Sequence, residues 1–432
     1  MRLGIAGGGI AGLTLAWLLD GSHEVLLLEE RPRLGGNADS VLTTADGRTH
    51  VVDLGVRETP AEVSPVWRHI AAMAGLPGED LVPVTASRTV FEHQGGAALC
   101  ASPAEPAGPA RHVSPAAPAG AARQVTAEGP VHEAVVRFAE ESSRWATEGL
   151  SWEVTLGDVL DAWDLQPSPA ERLLCALPAS LHGVTLGEAR GLSARAVGAT
   201  FTRPDRTART TYLRSGTGAL VQRLAAGARS ATVRLGTGLR AVRRAADGFA
   251  LVQDTGAVDR VDAVALALPA DRAGAVIGGL AGADAWRAAL AAVEYRDVTY
   301  VLHRDPYGMP GDRSLWSTAN TTLDGNRSET TTWYGPSLGL DLFVSQLDHR
   351  SGRPRAELAR SSFRATLPTP RASLARQTLG AVREGQRLFF LGHCATPVET
   401  QEAAMTSALA VAHHLAPRSA RVRRLRHYLQ GG

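Results

Sequence analysis

Three glycines and one glutamate near the N-terminus have the spacing of a dinucleotide site. Gly7, Gly9 and Gly12 form the pattern G-x-G-x-x-G, and Glu29 follows the last of them by 17 residues, close to the roughly 20 that this pattern expects. The first glycine permits a tight turn, the second lets the backbone approach a pyrophosphate, and the third lets a helix pack closely on a strand. A carboxylate at the position of Glu29 accepts hydrogen bonds from ribose hydroxyls.

Apolar runs around these residues predict the elements that hold them in place. Residues 2–6 and 24–28 have the composition of buried strands, and residues 13–19 between them have that of a helix. Strand, glycine turn, helix, strand and acid follow one another as in a Rossmann unit, where the amides at the start of the helix favour phosphate. We therefore predict dinucleotide binding rather than an accidental turn in a chain rich in alanine and glycine.

The amino-acid composition argues against several kinds of catalytic group, metal site and binding partner. The chain contains no lysine, which excludes Schiff-base catalysis, a Walker lysine and a lysine general base. Cys100, Cys175 and Cys394 show no metal-ligand or disulfide pattern, so we predict no metal site and a cytoplasmic protein. A net charge of +2 argues against a nucleic-acid partner, and no apolar run reaches the roughly 20 residues of a membrane span.

The segment after the second strand indicates which dinucleotide to expect. Residues 29–37 read Glu-Glu-Arg-Pro-Arg-Leu-Gly-Gly-Asn, and this segment resembles flavoproteins of the amine oxidase and phytoene desaturase superfamily. The resemblance implies noncovalent FAD, whereas an ordinary surface turn is the alternative. The predicted cofactor-binding residues in this part of the chain are Gly7, Gly9, Ile10, Ala11, Gly12, Glu29, Arg31, Gly35, Gly36 and Asn37.

Two further segments resemble the same superfamily in the same order along the chain. Residues 49–57 contain an Asp-x-Gly motif, and the resemblance places Gly55 and Val56 against the isoalloxazine ring. Residues 211–268 resemble the middle segment of these flavoproteins, in which the backbone of Leu239 would meet the adenine.

The C-terminal block, residues 388–409, completes the resemblance. It places Gly392 and His393 at the ribityl chain, and it places the amides near Ala403 and Ala404 where they stabilise negative charge on the reduced ring. The family usually has an acid at the position of His393 and a glycine at that of Ala404. His393 and Glu402 are candidates for proton transfer, and packing on the cofactor or a favourable charge at a helix start are the alternatives.

The order of the three blocks predicts the fold class and the domains. We expect an α/β protein in which a Rossmann-type FAD-binding domain is interleaved with an α+β substrate domain, a mixed sheet with a helical cap. Residues 95–129, dense in Ala, Pro and Gly, are predicted to form a long surface loop or a mobile flap between the domains. The predicted domains are 1–90, 205–275 and 380–432 for FAD, and 91–204 and 276–379 for the substrate and cap.

Residues 295–346 resemble a bacterial subgroup known only as predicted NAD/FAD-binding amine-oxidase-like proteins. Similar sequences there accompany lipid-modifying enzymes, which implies acyl or other apolar substrates. Plain core packing is the alternative for the aromatic residues of this segment. The residues predicted to line the substrate cavity are Trp316, Asn320, Trp333 and Tyr334.

The missing lysine also bears on the reaction. Amine oxidases often hold a lysine near flavin N5 through a water, and this chain has neither that lysine nor an aromatic pair near Cys394 to cage an amine. We therefore expect FAD-dependent dehydrogenation, meaning desaturation or oxidation, of a hydrophobic small molecule. The acceptor would be O2 or an unknown carrier, and the protein a monomer or homodimer. The alternatives are an amine oxidase, an isomerase or cyclase without net redox turnover, and a non-enzymatic dinucleotide-binding sensor or scaffold.

Overall fold

The computed structural model describes residues 1–93, 98–102, 129–165, 167–201, 209–350 and 352–430. The strands are β1 (Arg2–Ala6), β2 (Glu24–Leu28), β3 (Ser40–Ala45), β4 (Arg48–Asp53), β5 (Leu81–Thr85), β6 (Arg88–Glu92), β7 (Ala98–Ser102), β8 (Arg209–Leu213), β9 (Ala231–Arg234), β10 (Leu239–Ala245), β11 (Gly248–Gln253), β12 (Val258–Val261), β13 (Ala263–Leu266), β14 (Tyr295–His303), β15 (Ala319–Asp324), β16 (Arg327–Trp333), β17 (Phe343–Gln346), β18 (Glu357–Thr366) and β19 (Leu388–Phe390). The α-helices are α1 (Ile10–Leu18), α2 (Pro65–Met73), α3 (Pro130–Arg144), α4 (Leu156–Ala162), α5 (Pro169–His182), α6 (Leu186–Ala189), α7 (Ala194–Phe201), α8 (Thr217–Gly227), α9 (Ala270–Val276), α10 (Asp284–Leu290), α11 (Gly335–Leu338), α12 (Pro370–Gly380), α13 (Gln401–Leu415) and α14 (Ala420–Gln430).

The first glycine turn belongs to a parallel five-stranded sheet in the order β19-β13-β1-β2-β9. Helices α1, α8 and α13 cover one face, and the meander β10-β11-β12 with α9 and α10 covers the other. Burial on both faces explains why β1 and β2 are continuous apolar runs rather than alternating ones. Both predicted strands are confirmed, and the predicted helix between them begins inside the glycine turn, at Ile10.

A second, mixed sheet has seven strands in the order β18-β14-β17-β16-β15-β6-β7. Its neighbours are antiparallel except for the parallel pair of β15 and β6. Helices α3 to α7 pack over one end of this sheet and bury Val90 and Leu323. This arrangement confirms the predicted fold class, a Rossmann-type sheet interleaved with a mixed sheet under a helical cap.

The prediction that residues 95–129 form a loop or flap is wrong for residues 98–102. Strand β7 lies within this range and pairs with β6 at the edge of the seven-stranded sheet. Its sequence, Ala-Leu-Cys-Ala-Ser, has no strong alternation and stands beside a stretch dense in alanine and proline, so its strand character is weak without a partner. The remainder of the predicted loop, residues 103–128, lies outside the described part of the chain.

The strand positions also bear on the domain boundaries. Strand β6 belongs to the seven-stranded sheet, so the boundary predicted at residue 90 falls inside a strand. Leu290 of α10 and Leu379 of α12 pack in the core beside β13 and β19. We therefore propose new bounds for the three segments of the FAD-binding domain. The first segment ends near residue 87, the second extends to about residue 293, and the third begins with α12 rather than at residue 380.

Two small strand pairs, β3 with β4 and β5 with β8, link the large sheets. Val52 and Leu54, at the end of β4, pack against Tyr300, Leu302 and Phe363 of the seven-stranded sheet. The residues that follow β4 are thereby held between the two sheets.

The C-terminal helix α14 docks on the FAD-binding side of the molecule. Val422 and Leu425 are fully buried, and the guanidinium of Arg421 donates to the carbonyl oxygens of Trp17 at 2.5 Å and Gly227 at 3.0 Å. Among the described residues, no helix combines the length and the apolar character that crossing a membrane requires.

Phe389 provides a test of this core. Its side chain lies on the edge strand β19 but is buried in the core beneath α1 and α13, so Phe389→Ala should lower the free energy of unfolding by about 3–5 kcal/mol through the cavity it leaves. Leu42→Ala, at a position 74% exposed on β3, should change it by less than about 0.5 kcal/mol. Thermal and urea unfolding measure both, and equal losses in the two variants would contradict the assigned core.

Candidate cofactor and substrate site

The first glycine turn can be built only from glycine at two positions. Gly7 has φ +103°, and a Cβ there would lie 2.3 Å from the carbonyl oxygen of Ala267. A Cβ on Gly12 would lie 2.0 Å from the carbonyl oxygen of Gly7. Helix α1 starts directly after Gly9, and no side chain caps its first turn. Its free amides and positive dipole end are therefore available to an anion.

The second glycine pair lies against the first. The amide of Gly35 donates to the carbonyl of Gly8 at 2.8 Å, and a Cβ on Gly36 would lie 3.2 Å from the Cα of Gly9. Gly35 and Gly36 both have positive φ, +111° and +58°. Two bare backbone segments thus face each other at the start of α1, and this cradle fits a pyrophosphate.

Glu29 lies at the tip of β2 beside this cradle. Its buried carboxylate accepts the amides of Gly8 at 2.6 Å and Arg31 at 2.9 Å. A carboxylate has about four lone-pair sites, so two remain for ribose hydroxyls. The amide of Thr237 donates to the carbonyl of Glu29 at 2.8 Å. This hydrogen bond brings the start of β10, at Leu239, close to Glu29, and Leu239 is where the adenine is predicted to bind.

The Asp-x-Gly motif also packs closely against the segment that carries the second glycine pair. A Cβ on Gly55 would lie 1.9 Å from the carbonyl oxygen of Asn37, so the backbone of the motif touches the segment that carries the second glycine pair. Val56 follows, half-buried between the two sheets. The structure therefore brings together Gly9, Gly36 and Gly55 from three parts of the sequence.

The C-terminal block also reaches α1, and it includes the first turn of α13. A Cβ on Gly392 would lie 3.2 Å from the Cβ of Ala11. At the start of α13, the amide of Ala403 donates to Oγ1 of Thr400 at 3.0 Å, and that of Ala404 donates to the Thr400 carbonyl at 3.1 Å. Among the described hydrogen bonds, the amides without a partner in this turn are those of Gln401 and Glu402 instead, and the contact predicted at Ala403 and Ala404 stays a prediction.

The two candidates for proton transfer have different surroundings. The carboxylate of Glu402 accepts the amides of Val66 at 3.0 Å and Trp67 at 2.7 Å, so it caps the first turn of α2, and burial raises its pKa. These contacts favour a helix-capping role over catalysis for Glu402. The ring of His393 is 30% exposed, its Nδ1 lies 3.8 Å from Oε1 of Glu399, and burial lowers its pKa.

On the substrate side, one predicted residue lies next to the Asp-x-Gly motif. The phenol of Tyr334 donates to the carbonyl of Asp53 at 3.1 Å, and its ring packs edge-on against Tyr212 with centroids 5.7 Å apart. Arg57 places its guanidinium 4.2 Å from the ring centroid of Tyr300 in the same region. Sequence analysis did not single out Arg57, Tyr212 or Tyr300, although Arg57 directly follows Val56.

Trp316 and Trp333 form a packed cluster with Met309 and Phe343. The indole N–H of Trp316 donates to the Pro310 carbonyl at 2.9 Å, and that of Trp333 donates to Asp341 at 3.0 Å. With their polar atoms occupied inside the fold, these contacts favour the packing alternative.

Asn320 and His303 are likewise satisfied inside the seven-stranded sheet. Asn320 accepts the amide of Ser317 at 3.0 Å and donates to its carbonyl at 2.6 Å. The fully buried ring of His303 bonds to Ser345 at 2.8 Å and to the Asp305 carbonyl at 2.9 Å. The cavity-lining role of Asn320 therefore stays a prediction, without support from its contacts.

The comparisons with known proteins agree with this geometry. The family model for flavin containing amine oxidoreductases matches residues 10–306. The chain belongs to this family. It is an FAD-dependent oxidoreductase, and the residues of the cradle fit that cofactor. No curated protein matches the chain.

Solved structures of the same fold cover almost the whole chain. Cyclohexylamine oxidase from Brevibacterium oxydans is 15% identical with a TM-score of 0.69, covering 96% of this chain and 99% of that one. The CLA-producing fatty acid isomerase from P. acnes is 12% identical with a TM-score of 0.65, covering 95% and 98%. A putrescine oxidase variant with redesigned cofactor binding is 12% identical with a TM-score of 0.63, covering 97% and 100%. At these identities the likeness shows the fold alone.

Gly9→Ala separates cofactor binding from folding. A Cβ at Gly9 would make only an ordinary contact, 3.9 Å from the Cα of Gly36, so the variant should fold normally. The methyl group would nevertheless stand in the cradle, and we expect FAD to bind at least about tenfold more weakly, ~1.4 kcal/mol. Flavin absorbance after purification and titration of the apoprotein with FAD measure the change. Gly279→Ala, where a Cβ meets nothing within 4 Å, is the control, and full FAD affinity in Gly9→Ala would contradict the assigned cradle.

Asp53 should make stability depend on pH. Its carboxylate accepts the amide and hydroxyl of Thr217 at the start of α8, yet burial raises its pKa to about 6. The folded protein then holds a proton that the unfolded chain has lost between about pH 4 and pH 6, so stability falls as pH rises through this window. Asp53→Asn should flatten the fall of the thermal midpoint, whereas Asp46→Asn, in an exposed turn, should leave it unchanged. An unchanged slope in Asp53→Asn would refute the assignment.

Proposed function

We propose that the protein dehydrogenates a hydrophobic small molecule that is neutral or anionic, with acyl compounds as the favoured substrate class. The bound FAD would supply the redox chemistry by accepting hydride at N5. The residues of the chain then have to bind the substrate, orient its reacting carbon and exclude water. The resemblance of residues 295–346 to proteins that accompany lipid-modifying enzymes supports the choice of an acyl substrate.

Arg57 is the observation that carries this proposal. It stands two residues after Gly55, where the isoalloxazine ring is predicted, and its Nη1 donates to the Leu54 carbonyl at 3.0 Å. A guanidinium stays charged, and in a poorly solvated site it repels an ammonium group strongly. A cation at this point therefore disfavours an amine substrate, in agreement with the absence of any lysine from the sequence.

The carboxylates of Asp53 and Glu58 interact with Arg57, and an apolar cluster lies in the same region. Leu54, Leu302, Val344 and Phe363 are buried together with Tyr334 between β4 and the seven-stranded sheet. Such a surface stabilises an apolar substrate by roughly 25 cal/mol for each Å² removed from water. It also keeps water from the reacting carbon.

The fold match with a fatty acid isomerase favours a second candidate, the isomerisation of an unsaturated acyl compound without net redox turnover. Stoichiometry separates the two candidates. Net dehydrogenation has to reduce an acceptor or form peroxide, whereas isomerisation consumes no acceptor and leaves the mass of the substrate unchanged.

Anaerobic reduction of the flavin tests the proposal. The holoprotein is mixed without oxygen with straight-chain fatty acids and their thioesters, and separately with cyclohexylamine and putrescine. We expect acyl compounds to bleach the flavin and amines to leave it oxidised. Rapid bleaching by the amines would overturn the substrate class, and a shifted double bond at constant mass without bleaching would establish the isomerase instead.

Replacing Arg57 should weaken the discrimination between charged substrates. Arg57→Met should bind fatty acids at least about tenfold more weakly, ~1.4 kcal/mol, because a partly buried cation that attracts the carboxylate is lost. Arg48→Met, an exposed arginine on β4, is the matched control. Spectral titration of the oxidised flavin measures the dissociation constants, and identical constants in both variants would remove Arg57 from the substrate site.

A further inference from the structure

Helix α12 carries an arginine whose charge is entirely inside the protein. Arg376 has no exposed surface, and Nε, Nη1 and Nη2 have no hydrogen-bond partner among the described residues. A buried charge without hydrogen bonds costs several kcal/mol, and arginine does not escape this cost by losing its proton. The position of Arg376 therefore calls for an electrostatic partner.

The negative charge that faces Arg376 is Glu399, whose carboxylate accepts the amide of Thr366 at 2.8 Å. Burial opposes ionisation of Glu399, yet His393, Arg376 and His182 together hold its pKa below the ordinary value. In the described part of the chain, the two charges interact without an ion pair within 4.0 Å.

The other polar and titratable groups around the pair are neutral. The ring of His182 bonds to the Thr366 carbonyl at 2.8 Å, and burial lowers its pKa. Burial raises the pKa of Cys394 to about 12, and it raises that of Tyr295 beyond its already high ordinary value. Arg376 and Glu399 are thus the two charged members of this cluster.

This cluster lies directly behind the third glycine block. His393 follows Gly392, which touches the start of α1, and Nδ1 of His393 lies 3.8 Å from Oε1 of Glu399. Cys394, the next residue, lies beside Arg376. His393 therefore stands between the charge pair and the place where the resemblance puts the ribityl chain.

We propose that Arg376 and Glu399 are a buried pair of opposite charges that sets the reduction potential of the bound flavin, with His393 as the polar group between the pair and the cofactor. Reduction adds negative charge to the flavin, so a nearby cation favours the reduced form and a nearby anion disfavours it. In a buried site these effects act over several ångströms with little screening. The inference rests on FAD binding at the third glycine block, which the Gly9→Ala experiment tests separately.

The reduction potentials of matched variants test the proposal. Arg376→Met should lower the flavin midpoint potential, and Glu399→Gln should raise it. The double variant should fall between the two. Dye-equilibration titration measures each potential without any substrate, at alkaline pH, where the carboxyl group of Glu399 stays ionised.

Arg350→Met is the control for the loss of a buried arginine. Arg350 pairs with Glu329 at 2.8 Å, and both side chains are almost fully buried. Glu329 points to the face of the seven-stranded sheet opposite that of Tyr300, so this pair lies away from the FAD site. The control should lose stability without shifting the potential.

Shifts of the same sign in Arg376→Met and Glu399→Gln would overturn the proposal, as would an unchanged potential in both. Should Arg376→Met fail to retain FAD, Glu399→Gln decides, since a raised potential in this variant supports the charge pair. An unchanged potential in Glu399→Gln would then refute it.

Discussion

The cofactor site depends on the close approach of backbone segments whose glycines carry no side chain. The segment of Gly36 and Asn37 comes within van der Waals distance of both Gly9 and Gly55, and the turn before α1 brings Gly7 and Gly12 together where no Cβ fits. A pyrophosphate needs backbone amides and a helix start at short range, and any side chain at these points would hold it away. The parallel sheet and its helices keep the segments at this distance.

The same constraint explains why the two domains are interleaved. The glycine segments that meet here follow β1, β2, β4 and β19, so that the two ends of the chain come together at one place. Glu402 also joins the two ends of the chain, because its side chain extends from α13 and caps α2, more than 300 residues earlier in the sequence. Cofactor binding is therefore coupled to the folding of the entire FAD-binding domain.

Charge placement divides the site into two parts. Arg57 is stacked on Tyr300 beside the seven-stranded sheet, and we propose that it selects which substrates enter. Arg376 is buried near Glu399 behind the third glycine block, and we propose that this pair sets how readily the flavin is reduced. Because every cation of this chain is an arginine, neither charge is removed by burial, as a lysine's would be.

The sequence by itself determined the cofactor, the family and the fold class, because Gly7, Gly12 and Glu29 serve a local geometry whose requirements repeat at fixed spacing. It did not determine the roles of single polar residues. Glu402 and Trp316 are residue types common in active sites, yet Glu402 caps a helix and Trp316 packs in an indole cluster. The proposed roles of Arg57 and Arg376, in contrast, depend on strands and helices that are distant in the chain. Only the tertiary structure decided these roles, because burial and charge pairing depend on which segments meet and not on the order of residues along the chain.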